Sequence, residues 1–246
     1  MATRETAPKA TPGQTCELIA SVVQALSTVI AVLNGKQVQW LIGHKKQLLN
    51  AIKTAITNLV GAIAVEVEDW QKFYSEVFGL EKDLSKVPLP NEREGFGWTV
   101  FNIGLTKEQL FDLIRQRFGG KVWKYYNDLD KAVGDRDQRT ARNGYYAIRV
   151  RDRVEADDQW KNTSYNDLMA KGIKFMTIEE YMLLALWYDW KFPGQRLDVK
   201  YVTLTSSLVS DGDVLRGYLH DAGEFRVFRF DLDHSRGNLR AREVVS

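Results

Sequence analysis

The sequence predicts an α+β protein, with an N-terminal helical hairpin packed on a mixed domain that ends in an antiparallel β-meander. Three observations predict it. Apolar residues recur at steps of three and four from Leu18 to Ile63, the period of a helix with one apolar face. From Leu197 onward, short alternating runs are separated by the turn sequences SDGD and DAGE, a hairpin pattern. Between these regions, helical and strand-like segments alternate without a βαβ rhythm, as in α+β architectures.

A chain of 246 residues with 44% apolar and 27% charged residues can bury a large core. Its formal net charge of +2 argues against a main task of coating nucleic acid or an anionic membrane, which reward a strong positive surplus. Cys16 is the single cysteine, so no intramolecular disulfide is possible and a reducing cytoplasm is the expected setting. The thiol is expected to act as a small buried hydrophobe.

Residues 1–15 read as a polar tail with too little apolar surface to offset its own ordering. Residues 16–64 read as the hairpin. In its first helix, Leu18, Val22, Leu26, Val29 and Leu33 form the stripe, and Asn34-Gly35 supplies the stop. In its second, Val38, Ile42, Leu49, Ile52, Ile56, Leu59 and Ile63 keep a heptad-like spacing broken only by Lys45, widened by Leu41, Leu48, Ala55 and Ala62. The apolar run from Leu18 to Leu33 contains Ser21, Gln24, Ser27 and Thr28. It falls short of the ~20 apolar residues that cross a bilayer, so no membrane partner is expected.

The mixed domain is expected over 65–246, its boundary falling between 62 and 97. VEVEDWQKFYSEVFGL reads as a further helix ended by Gly79, and Pro88 and Pro90 mark a loop. A strand is expected at WTVFNIGL. Helices follow at TKEQLFDLIRQRF and TIEEYMLLALWYDW, each opened by a capping box, Thr106 with Gln109 and Thr177 with Glu180. The stretch from Lys121 to Gly144 looks rich in loops. YYAIRVRDRV should be a strand with Ile148, Val150 and Val154 on one face and Arg149, Arg151 and Arg153 on the other. LDVKYVTLTSS, VLRGYLH and EFRVFRF are the meander, to which LRAREVV can add a fourth strand.

Four groups of residues carry candidate chemistry. Asp231 and Asp233 with His234 could face a hard cation, but DHSRGN is rich in turn formers, calcium asks for six to eight oxygens, and a hairpin lip is the simpler reading. Asp198 and Lys200 stand two apart on an expected strand. This D-x-K pair resembles half of the core motif of the restriction-endonuclease-like nucleases. The resemblance implies a carboxylate on magnesium and a lysine steadying the attacking water, but the family's preceding-strand acid has no counterpart here. Arg149, Arg151 and Arg153 beside Tyr145 could contact phosphates, yet Asp135, Asp137 and Asp152 interleave with the local arginines and point to a salt-bridged face. Ser206, Ser207 and His220 lack the G-x-S-x-G setting of a serine nucleophile. Trp70, Trp98, Trp123, Trp187 and Trp190 sit among apolar neighbours and are expected in the core.

The stretches WQKFYSEVFGL, GQRLDVKYVTLTSS, VSDGDVLRG and NLRAREVVS resemble uncharacterised short proteins of reduced-genome, candidate-phylum bacteria, over roughly residues 70–246. The resemblance implies no activity, cofactor or site residue.

The expected function is that of a bacterial, non-enzymatic protein-binding or assembly module, with no cofactor and no resident metal. Its partner, another copy or another protein, would be met through Val22, Leu26, Val29, Ile42, Leu49, Ile52 and Ile56. One alternative is a metal-dependent hydrolase or nuclease using Asp198 and Lys200 with Asp231 and Asp233. The other is a nucleic-acid-binding protein using Arg149, Arg151 and Arg153, which the near-neutral charge disfavours.

Overall fold

A computed structural model describes residues 10–220 and 223–246, apart from the side chains of residues 58, 59, 62 and 63. Most of the expected N-terminal tail, residues 1–9, and part of the DAGE turn lie outside the described residues. The chain divides into two units, Met1–Ala62 and Ile63–Ser246, and the fold is α+β.

The first unit is helical. Helix α1 (Pro12–Ile30) opens with a capping box of Thr11 and Gln14 and has proline in its first turn, where the missing N–H costs nothing. Helix formation therefore begins inside the segment expected to be a tail. Asn34 does not end α1. It caps the next helix, α2 (Gly35–Gly43), in a second capping box with Gln37. The side-chain oxygen of Asn34 satisfies an orphan N–H there, which outweighs the C-terminal role expected of Asn-Gly. His44 breaks the path, and α3 (Lys45–Phe78) then runs without interruption through the point at residue 64 where a new helix was expected. The charges at Glu66, Glu68 and Asp69 change the face of that helix but not its backbone. Gly79, at φ +65°, ends it.

The second unit holds two sheets. One contains β1 (Trp98–Asn102), β3 (Tyr146–Val150) and β8 (Val244–Val245), all antiparallel, in the order β1-β3-β8. The other contains β2 (Val122–Lys124), β4 (Val202–Leu208), β5 (Val214–Leu219), β6 (Phe225–Phe230) and β7 (Leu239–Ala241), in the order β2-β6-β5-β4-β7. Its centre is the expected antiparallel meander β4-β5-β6. Two short strands join it in parallel, β2 on β6 and β7 on β4. The LRAREVV segment thus supplies a strand to each sheet rather than a fourth meander strand.

Helices α4 (Lys107–Arg117), α5 (Leu129–Val133), α6 (Tyr165–Ala170) and α7 (Ile178–Lys191) complete the unit. Both expected capping boxes form, at Thr106 and Thr177. Helix α4 closes on Gly119 at φ +65°, with the Gly120 N–H donating to the Arg115 carbonyl at 2.8 Å, a Schellman closure that requires a left-handed residue. Helix α7 is buried from Ile178 to Asp189 on all sides, as a helix apolar all round must be. It packs on α4, on β1 of the smaller sheet and on β4 and β5 of the larger.

The expected strand at 145–154 stops at Val150, leaving Val154 exposed. The expected strand from Leu197 begins only at Val202. Trp70 and Trp187 are buried and stack on each other at 5.7 Å, and Trp98 and Trp190 pack against the same core. Trp123 departs from expectation and is partly exposed on the short strand β2. Cys16 is exposed on α1, not buried, because α1 has no buried residue at all.

Candidate functional site

In the first unit, apolar side chains occupy two stripes. Val22, Leu26, Leu33, Val38, Leu41, Leu48 and Ile52 are half-buried. Leu18, Ile19, Val23, Val29, Ile30, Trp40, Ile42, Leu49, Ile56 and Val60 are exposed, Leu49 by 68%. Of the seven side chains expected to meet a partner, Val29, Ile42, Leu49 and Ile56 are therefore exposed, while Val22, Leu26 and Ile52 are half-buried. Neither α1 nor α2 has a buried residue. Isolated exposed leucines are ordinary, but a contiguous exposed apolar surface marks an interaction site.

The second unit contains a polar cleft of about 270 Å³ beside the first turns of α4 and α7. It is assembled from distant parts of the chain. The Lys107 ammonium, on the first turn of α4, lies 2.7 Å from Asp137 and 3.4 Å from Glu179. Asn102, at the end of β1, donates to Glu179 at 2.6 Å and lies 3.0 Å from the Tyr146 hydroxyl. That hydroxyl donates to Glu180 at 2.9 Å. Arg139 grips Glu180 with two 2.7 Å bonds and also reaches the Phe175 carbonyl. Ser207 donates to the second oxygen of Asp137. Burial pushes the Glu179 carboxyl up, against the pull of Lys107 and Asn102. Burial also opposes the charge on Lys107, but Asp137 and Glu179 outweigh it and hold the ammonium above the usual lysine value. Asp130 accepts from the Lys107 and Glu108 N–H groups at 2.9 and 3.1 Å, so the start of α4 already has its anion.

The charged groups of this cleft are thus taken up by one another, the arrangement of a buried ion network rather than of a poised base and nucleophile. One local signal could have pointed to it. Glu179 and Glu180 open a helix that is apolar on every face from Tyr181 to Tyr188, so burial of α7 must bury them too. Lys107, Asp137 and Asn102 carry no such signal.

The structure does not gather the four candidate nuclease residues around Asp198. That residue has φ +51° and is not in a strand, so it shares no strand face with Lys200. Its buried carboxylate accepts from the Ala156 N–H (2.7 Å), the Thr203 hydroxyl (2.6 Å) and two nitrogens of Arg242 (2.8 and 3.1 Å). Lys200 is exposed, as are Asp231 and Asp233, the last accepting from Asn166 at 2.7 Å. His234 stacks on Phe230 at 3.7 Å. Among the described residues, no group of three or more metal-ligating side chains is present.

Nor do the three arginines form one face. Arg149 is buried against Glu66 and Glu92. Arg151 lies beyond the strand end, bonded to Asp157 at 2.7 Å and Glu243 at 3.1 Å and stacked on Phe96. Arg153 is exposed. Ser206 and Ser207 are buried within β4.

Comparison with known proteins gave no matching family model, no matching curated protein and no matching solved structure. Among the described residues, no helix is long and apolar enough to cross a membrane.

Proposed function

We propose that the chain is a non-enzymatic assembly module whose N-terminal helices pair with those of a second copy. The observation that carries this reading is the run of exposed apolar side chains along the helices of the first unit, among them Leu18, Val29, Ile42, Leu49 and Ile56. Each Leu or Ile moved from water into an interface is worth up to about 1.5–3 kcal/mol.

Spacing and charge favour a second copy over another occupant. Leu49 and Ile56 stand seven apart on α3 and are both exposed, the repeat with which identical helices interlock. Between Pro12 and Ile63 the only charged residues are Glu17, Lys36, Lys45, Lys46 and Lys53. So sparse a set gives little electrostatic means of selecting a different partner. Two such helical units placed face to face can cover their apolar side chains in a helical bundle with two-fold symmetry, a common closed form of dimer.

Light scattering on eluting full-length protein tests the reading. The expected mass is twice the 28.2 kDa of one chain, falling to one chain when Leu49→Glu and Ile56→Glu are combined. A single-chain mass for the unaltered protein across the accessible concentration range overturns it. So does a monomer that sediments with anionic lipid vesicles.

A further inference from the structure

Five arginines are buried among the described residues: Arg149, Arg151, Arg216, Arg240 and Arg242. Four of them have a carboxylate partner within 4.0 Å. Arg216 has none. It is 5% exposed, and its Nε and Nη1 are buried without a hydrogen-bond partner. In the register of the larger sheet it lies between Leu204 of β4 and Phe228 of β6. Three rings hold it, Phe230 at 3.8 Å, Phe228 at 4.8 Å and Tyr218 at 5.1 Å. Cation–π contact compensates part of the lost hydration but leaves the Nε and Nη1 donors unused.

The surroundings add more positive charge. A cleft of about 280 Å³ beside this face is lined by Lys200, Tyr218, His220, Arg226, Arg236 and Asn238, among others. Arg236 lies over the same Phe230 ring at 5.1 Å, and its Nε is also buried without a partner. Among the described residues, Glu224 pairs with Arg226, and Glu155 accepts from the Lys200 N–H. Burial, with Arg236 and Arg226 adding repulsion against the help of Tyr218, lowers the Arg216 guanidinium to about 10. A cation buried without its anion beside further cations leaves unfilled donors at a position where a bound anion would restore the balance.

We propose that this face of the β4-β5-β6 sheet binds the phosphate group of a small phosphorylated ligand, with Arg216 as the buried anchor and Arg236, Arg226 and Lys200 as the cleft-side contacts. Phosphate fits better than a lone carboxylate because its several oxygens and higher charge match several converging cationic donors. Nothing in this proposal depends on how the helices of the first unit assemble.

Calorimetric titration of the full chain with inorganic phosphate is the test, with acetate at matched ionic strength as control. The expected result is saturable binding with a Kd of about 1 mM or tighter and no saturable heat with acetate. Arg216→Met and, separately, Arg236→Gln should each weaken binding by about tenfold or more, since each removes a charge-assisted contact. Arg236 is only partly buried, so its variant keeps the test decisive should Arg216→Met fail to fold. Absence of saturable heat with phosphate overturns the proposal, as does unchanged affinity in a folded Arg236→Gln protein. Tight binding of a thymidine oligonucleotide by a protein that ignores inorganic phosphate overturns the small-ligand assignment.

Discussion

At the scale of single residues, Asp198 shows how one carboxylate can carry a local architecture. It joins the segment before β4 to Ala156 and to Arg242, residues far apart in sequence. Asp198→Ala leaves the Arg242 guanidinium buried without its anion, and the expected loss is about 3–5 kcal/mol in urea unfolding. Lys200→Ala, two positions on and exposed, should stay within about 0.5 kcal/mol. Glu243 sets a pH dependence. Burial works against its charge, but the bonds from Arg93 and Arg151 outweigh it and hold the carboxyl below its ordinary value. A depressed carboxyl stabilises the fold above the unfolded value of about 4.3, and that stability is lost as pH falls through the lower folded value. Glu243→Gln should therefore be less stable at neutral pH and show a shallower acid limb in stability against pH. Glu179 has the opposite sign: its raised carboxyl favours the fold below the ordinary value, and that contribution is lost as pH rises through the raised one. None of these pairings was legible in the sequence, because each joins residues dozens of positions apart with no spacing rule to connect them.

At the scale of elements, legibility followed the range of the forces involved. The capping boxes of α4 and α7 depend on residues three apart and were readable. Thr106→Ala should cost about 0.5–2 kcal/mol, seen as a lower urea midpoint. Strand ends were not readable, because pairing partners decide them. Tyr146–Val150 stops opposite Trp98, the first residue of β1, although the alternation of residue types runs on to Val154. The parallel strands β2 and β7 are three residues each and too short for periodicity to reveal. A contact between elements supplies another test. A Cβ on Gly217 of β5 would overlap the ring of Tyr181 on α7, so glycine is what allows this strand and helix to approach. Gly217→Ala should destabilise by about 1–3 kcal/mol, read from the thermal midpoint.

At the scale of the whole molecule, the two units differ in how they could be stable. Helix α7 and the residues around it form a core of fully buried aromatic and aliphatic side chains, whereas α1 and α2 bury none. Slow hydrogen exchange is therefore expected in α7, β4 and β5, and fast exchange over 12–43 in dilute protein. Protection of 12–43 should rise with concentration if a second copy covers those helices. The fold class was legible because helical and strand periodicities differ so plainly between the two ends of the chain. The candidate sites were not, since burial and charge pairing emerge only when the sheets close.

The segment from Leu239 to Val245 has a consequence for how the molecule is made. It gives β7 to one sheet and β8 to the other, and between them Arg242 and Glu243 reach back to Asp198, Arg93 and Arg151. Neither sheet is complete while that stretch is still inside the ribosome. Nascent chains stalled upstream of residue 239 should stay sensitive to protease, with maturation confined to the moments after those codons have been translated and their product released.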